Sequence, residues 1–347
     1  MRMDTQRFKQ NVSFRFFVRA AKAGLFLLGA LLLNSCIRGV LTDADDDSPV
    51  EIKLSGSVGN VSASGNTRAV LADDYCTKND LPVTFLRIDQ NPDGTWPSWE
   101  DYQVLNATRL KGAGQRAITF NAGPQFYLTR SANNNTRLIS FYPGVGDGME
   151  FSAEGWPCWD LSSGAVDVLM SEEKEANKTN QFGMSGNQFT YQHLLANITV
   201  TAKAQSAVSV SQWGSIRSIK LMSNPTEFVV NQLDRNDLWA SGDHVDVLLR
   251  APGSDLPMSG NIGLPYVGDP VTCGYALSFP WPNSILLEIE TSLGGKRQLE
   301  VEPPTENQWL SGKSYTIQLE FIVDEVKASA TIGVWQDGGS VSGDFQV

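Results

Sequence analysis

Imidazoles and thiols are scarce in this 347-residue chain: His193 and His244, and Cys36, Cys76, Cys158 and Cys273. Neither histidine falls in an H-E-x-x-H or H-x-x-H spacing, and no two cysteines make a C-x-x-C pair. The local sequence therefore encodes neither a zinc site nor a thioredoxin-like centre. His193 sits within Tyr191-Gln192-His193-Leu194-Leu195, a strand pattern in which a hydrogen-bonded structural imidazole is the expected role. A G-x-S-x-G elbow, a phosphate loop and a dinucleotide fingerprint are all missing. Carboxylates are abundant, yet no spacing pairs two of them for glycoside hydrolysis. The chain reads as a non-enzyme that needs no metal and no cofactor.

Cys36 has a chemistry of its own. Arg2, Arg7, Lys9, Arg15, Arg19 and Lys22 precede an apolar run from Gly24 to Leu33, which ends in Leu33-Asn34-Ser35-Cys36. A basic stretch, a short apolar run and a small residue before the cut describe a secretory signal. The run is too short to span a bilayer, which takes ~20 residues. The Leu-Asn-Ser-Cys ending resembles a bacterial lipobox, in which the thiol is diacylated and the cysteine becomes the new N-terminus. Each buried CH₂ of such chains contributes ~0.8 kcal/mol to anchoring. Behind it, Asp43, Asp45, Asp46 and Asp47 mark a solvated tether.

Tryptophan is the other distinctive residue. Trp96-Pro97-Ser98-Trp99 and Trp156-Pro157-Cys158-Trp159 share a W-P-x-W pattern, each followed by an acid. Exposed, these four rings form a platform for a glycan or host ligand. Half-buried, they cover the ends of a β-sandwich with each N–H finding a partner, and this is the expected role.

The elements that position these residues have period two. Leu81–Asp89, Ala117–Asn121, Thr136–Tyr142, Ala165–Met170, Gln188–Ala204, Ser215–Met222, Glu227–Leu233, His244–Arg250, Tyr275–Pro280, Ile285–Thr291, Gln298–Glu302, Ser314–Val323 and Ala328–Trp335 read as strands separated by Gly, Pro, Asn and Asp turns. Many short strands at near-regular spacing imply an all-β fold of sandwiches or barrels. The best helical stretch, Ser171 to Asn180, is charged all round and reads as an exposed loop or a single turn. Setting residues 1–35 aside removes six basic residues and one acid, and takes the formal charge from −11 to −16. Such a surface excludes nucleic acid as a partner, which needs a basic stripe. The remaining length suits two domains, divided near residue 190 after the polar stretch Glu172 to Asn187. Cys76, Cys158 and Cys273 allow at most one disulfide.

Four segments resemble the fimbrillin family of type V pilins, including its Mfa-like group. These are the lipobox at Cys36, the first strand Glu51 to Val58 followed by Thr67-Arg68-Ala69, the segment Phe189 to Ile198 (F-x-x-x-H-x-L), and Gly312 to Ile317 with Ala330 to Trp335. The resemblance implies two Greek-key, transthyretin-like β-sandwich domains after a cleaved lipoprotein signal peptide. Its divisions are residues 1–35 for the signal, 36–68 for the lipidated tether and removable first strand, 69–190 for the N-terminal domain and 191–347 for the C-terminal domain. It further implies a precursor anchored in the outer membrane and exposed at the surface. The resemblance implies that an arginine-specific protease cuts between Arg68 and Ala69, and that loss of the strand carrying Ile52, Leu54 and Val58 then leaves a groove that a strand of another fimbrial subunit fills. Val341, Phe345 and Val347 alternate after a Gly-Gly turn and are the candidate donor strand. The rival expectation is a non-polymerising surface lipoprotein that binds glycan or a host ligand.

Overall fold

Much of the described chain forms strands, many of them with inward and outward residues alternating. The computed structural model describes residues 48–58, 79–112, 117–127 and 134–334, apart from 185, 255, 281–282 and 305–307. The strands of the first half are β1 Leu54–Val58, β2 Leu81–Asp89, β3 Gln103–Arg109, β4 Ala117–Phe120, β5 Thr136–Tyr142, β6 Met149–Phe151, β7 Pro157–Asp160, β8 Leu169–Ser171, β9 Lys174–Ala176 and β10 Phe189–His193. Then come β11 Ala196–Ala204, helix α1 Ala207–Trp213, β12 Ser215–Val230, β13 Leu238–Leu248, β14 Ile262–Gly263, β15 Val271–Ser278, β16 Ile285–Thr291, β17 Gly295–Val301, β18 Lys313–Phe321 and β19 Val326–Val334.

The first sheet runs β2-β3-β4-β1-β10-β8-β5, and β5 pairs back onto β2, with β9 attached to β5. The ladder therefore closes into a seven-strand ring rather than leaving two open layers. Closure removes the sheet edges that an open sandwich exposes. Its interior is filled by Ile52, Leu54, Val58, Val83, Phe85, Ile118, Tyr127, Phe182, Phe189 and Tyr191. Phe189 is the hub, edge-on to Phe85 at 5.2 Å and tilted against Phe182 at 5.7 Å.

Two further sheets face each other across a second core. One runs β15-β11-β18-β19; the other runs β17-β16-β12-β7-β6, with β13 and β14 also paired to β12. Ile198, Val200, Tyr315, Ile317 and Phe321 meet Ile216, Ile219, Leu287 and Ile289 between them. A third apolar cluster joins Leu86, Ile139, Phe141 and Met170 of the ring to Trp159, Phe228 and Val230. Sheet membership changes between His193 and Ala196, while the β6–β7 hairpin pairs forward with β12.

Several elements differ from the sequence reading. The strand expected over Gln188–Ala204 breaks at Leu194-Leu195, where the chain leaves the sheet of β10, paired with β8, for the sheet of β11, paired with β15. The two strands expected at Ser215–Met222 and Glu227–Leu233 are one continuous β12. Register shifts on either side of Pro225 accommodate the proline within it. The expected loop within Ser171–Asn180 contains β9, where Glu175 pairs with Arg137. Helix α1 was not expected; Ser206 caps its first turn through Ser209 N–H, and Gly214 closes it at φ 71°.

Candidate functional site

The first strand, β1, carries the sequence LSGSV, in which Leu54, Gly56 and Val58 point inward and Ser55 and Ser57 are half-buried. Before it, Ile52 N–H donates to Gln125 O at 2.8 Å and Tyr127 N–H to Val50 O at 3.0 Å. Burying Ile52, Leu54 and Val58, each no more than 4% exposed, contributes about 1.5–3 kcal/mol per side chain. The strand is an inner stave of the ring. It runs parallel to β10, with Gly56 beside Phe189, Ser57 beside Thr190 and Val58 beside Tyr191. On its other side it runs antiparallel to β4, with Leu54 beside Ile118 and Ser55 beside Ala117. Taking β1 away exposes one ladder edge on β4 and one on β10, with an apolar slot between them.

Gly56 is the tightest point of that slot. A Cβ built there stands 3.0 Å from Ile118 Cδ1, 3.0 Å from Tyr191 Cε2 and 3.3 Å from the carbonyl of Phe189. The Tyr191 ring is pinned, since its hydroxyl donates to Ser140 Oγ at 2.7 Å. Burial raises the Tyr191 phenol above the usual range, against the smaller opposing effects of Ser140 and Arg109. The Nε of Arg109, itself buried, donates to the carbonyl of Gly56 at 3.3 Å. At this one residue β1 offers a backbone carbonyl to Arg109 and no side chain to its crowded neighbours.

Ile52, Leu54 and Val58 lie together in the ring interior. Cys36, Cys76, Arg68, Ala69, Val341, Phe345 and Val347 lie outside the described residues. Gly56, Arg109, Ile118 and Tyr191 were not singled out in the sequence. A glycine inside a strand pattern was the available signal, since it marks a close approach. Arg109 lay in a strand that the pattern did not disclose.

The four tryptophans separate. Trp159 is 1% exposed, tilted between Phe141 and Phe228 at 5.9 Å from each. Its Nε1 donates to Pro143 O at 3.1 Å. It is a core residue and offers no face to a ligand, which corrects its place in the platform. Trp96 lies under the guanidinium of Arg137 at 3.9 Å, and Arg137 also pairs with Glu175 at 2.9 Å. Trp99 and Trp156 pack half-buried at the rim of the third apolar cluster. Their loops meet, since Tyr102 stacks on Phe151 at 5.7 Å and its hydroxyl donates to Gly155 O.

Three of the scarce reactive groups, His193, Cys158 and Cys273, are buried. His193 Nδ1 lies 2.8 Å from Asp167 Oδ1, with both side chains buried. Cys158 and Cys273 are free thiols. Burial pushes Cys158 up to about 11, with Glu227 adding to it, and Cys273 up to about 12. Among the described residues no group of His, Cys, Asp and Glu could hold a metal ion, and no helix is long and apolar enough to cross a membrane.

The sequence matches no protein-family model and no curated protein. Solved structures do match. A protein assigned to cell adhesion from Bacteroides uniformis has a TM-score of 0.55 at 13% identity, covering 82% of this chain and 98% of that one. A second such protein, from Bacteroides ovatus, has a TM-score of 0.54 at 14% identity, covering 83% and 98%. A fimbrial protein from Bacteroides vulgatus has a TM-score of 0.53 at 11% identity, covering 83% and 100%. This chain has their fold.

Proposed function

We propose that this chain is a structural or accessory subunit of a type V fimbria with a role in adhesion, and that it performs no catalysis. It is exported as a lipoprotein, acylated at Cys36, held at the outer membrane and exposed at the cell surface. Its first half, to about residue 190, and its second half are two transthyretin-like domains. An arginine-specific protease cuts between Arg68 and Ala69. The cut leaves β1 attached only by non-covalent contacts, and a strand from a neighbouring subunit takes its place. Val341, Phe345 and Val347 mark that donor.

The observation that carries this reading is the position of β1. It is a short inner stave of a closed ring, its apolar side chains fill the core, and the 59–80 segment that carries Arg68 separates it from β2. Backbone ladders on two sides give an incoming strand affinity, and its alternate side chains give register. The test is to treat the Cys36→Ser precursor with an arginine-specific protease and follow mass and size together. One cut after Arg68 with growth into ladders is expected. A chain that is cut and stays monomeric overturns the assembly reading.

The meeting of the two W-P-x-W loops favours a second reading, a non-polymerising lipoprotein that binds glycan or a host ligand through Trp96, Trp99 and Trp156. Glycan-array binding lost in Trp99→Ala and Trp156→Ala, from a chain that never forms ladders, supports it.

A further inference from the structure

The slot left by β1 has a side-chain code, and the chain carries that code a second time. β1 reads Leu54-Ser55-Gly56-Ser57-Val58, and the C-terminal segment reads Val341-Ser342-Gly343-Asp344-Phe345. Both are apolar, Ser, Gly, polar, apolar. Resting on the subunit reading above, we propose that the slot is keyed to glycine. The C-terminal segment of a second copy enters it in one register: Gly343 in the place of Gly56, Val341 in that of Leu54 and Phe345 in that of Val58.

The geometry at Gly56 selects the register. With Ile118 Cδ1 and Tyr191 Cε2 each 3.0 Å from a virtual Cβ, and the Phe189 carbonyl 3.3 Å away, any side chain must push its neighbours aside, and a branched or aromatic one the most. Ile118 has some freedom at its tip; Tyr191 is tied to Ser140 and Phe189 O is backbone. Sliding the segment by two residues either way puts Val341 or Phe345 on this point. Sliding by one turns the apolar face outward. Sliding by four seats Gly339 there but drives Asp337 into the pocket of Leu54, an unpaired carboxylate in an apolar core. Only the Gly343 register leaves every inward position apolar or glycine. The incoming strand runs in the direction of β1, parallel to β10, and its Gly343 carbonyl accepts the Arg109 bond that Gly56 accepts now.

The experiment uses the full chain with Cys36→Ser and a site-specific protease sequence in place of residues 62–67, so that the cut does not depend on Arg68. A synthetic peptide of residues 335–347 is titrated against the cut protein, beside the same peptide with Gly343→Leu. The natural peptide is expected to bind. The Leu peptide is expected to bind about tenfold more weakly or worse, the scale of an overpacked core residue. In parallel, cut protein carrying Asp344→Cys is mixed with cut protein carrying Thr190→Cys. Because Ser57 lies beside Thr190, the linked peptide must join 344 to 190. Equal binding of the two peptides, no binding of either, or linkage of 190 through a cysteine at 342 instead overturns the glycine register. Glycine-dependent peptide binding by a chain that forms no ladders upholds the register and sinks the subunit reading. Ladders that persist in Gly343→Leu sink the register and leave the subunit reading standing.

Discussion

Arg109 on β3 reaches past β4 to donate to the carbonyl of Gly56 on β1. A buried cation on one stave thereby holds the backbone of another two places away. Replacing it with Met keeps the stem and removes the donor. The expected cost is about 1–3 kcal/mol, the scale of a buried bond to a charged group. Chemical denaturation of Arg109→Met gives that number. Hydrogen exchange at Ser57 and Val58 should rise more than at β18, which lies in another sheet.

Gly56→Val is the complementary change. It keeps the strand propensity of β1 and overfills the space before Tyr191 and Ile118. A loss of about 1–3 kcal/mol is expected. Adding Ile118→Ala should recover part of it, and no recovery in the double variant refutes steric crowding as the cause.

The His193–Asp167 pair is buried where β10 gives way to β11. Asp167→Ala removes the carboxylate that meets the imidazole in the core. A destabilisation of about 1–3 kcal/mol is expected from leaving a buried polar group without its partner, with Asp167→Asn milder because it keeps an acceptor. Urea midpoints of the two variants settle the order.

Alkaline pH should unfold the protein early. Burial raises Cys158 to about 11, Cys273 to about 12 and Tyr127 to about 12. In the unfolded chain thiols ionise near 8.5 and phenols near 10. Groups whose folded pKa is raised contribute full stability below the unfolded value and lose it as pH climbs through the folded one. The urea midpoint should hold up to about pH 8 and fall between about 9 and 12. Cys158→Ser with Cys273→Ser should flatten that fall, and an unchanged fall assigns it to other groups. Alkylation at pH 8 should reach neither thiol without denaturant.

The tryptophans should divide by experiment as they do by burial. Trp159→Ala should cost about 3–5 kcal/mol, as an emptied aromatic core position does. Trp96→Ala, Trp99→Ala and Trp156→Ala should cost less, since these rings are only half-buried. Thermal melts of the four variants make the comparison. A mild Trp159→Ala contradicts its core role.

The sequence disclosed what local alternation controls. Leu81–Asp89, Thr136–Tyr142 and Ile285–Thr291 end where the pattern ends. Gln103–Arg109 escaped because its inward residues include Ala107 and a buried Arg109, which do not read as an apolar face. Ring closure was hidden because it depends on β5 meeting β2 on one edge and β8 on the other, a long-range fact with no local mark. The two W-P-x-W segments are alike in sequence and unlike in burial. Trp159 belongs to β7, which pairs with β12, whereas Trp99 begins a short 3-10 turn on the surface. Identical residues met different neighbours, and the neighbours decided.

The long strand β12 has a mechanical meaning. At Ile216 to Ile219 it is laced to β16, and at Glu227 to Val229 to β7, which the chain reaches only after building most of the ring. A tensile load that pulls the two halves apart must strip β7 from β12 before they can separate. The joint between the halves is a stitched seam and not a hinge.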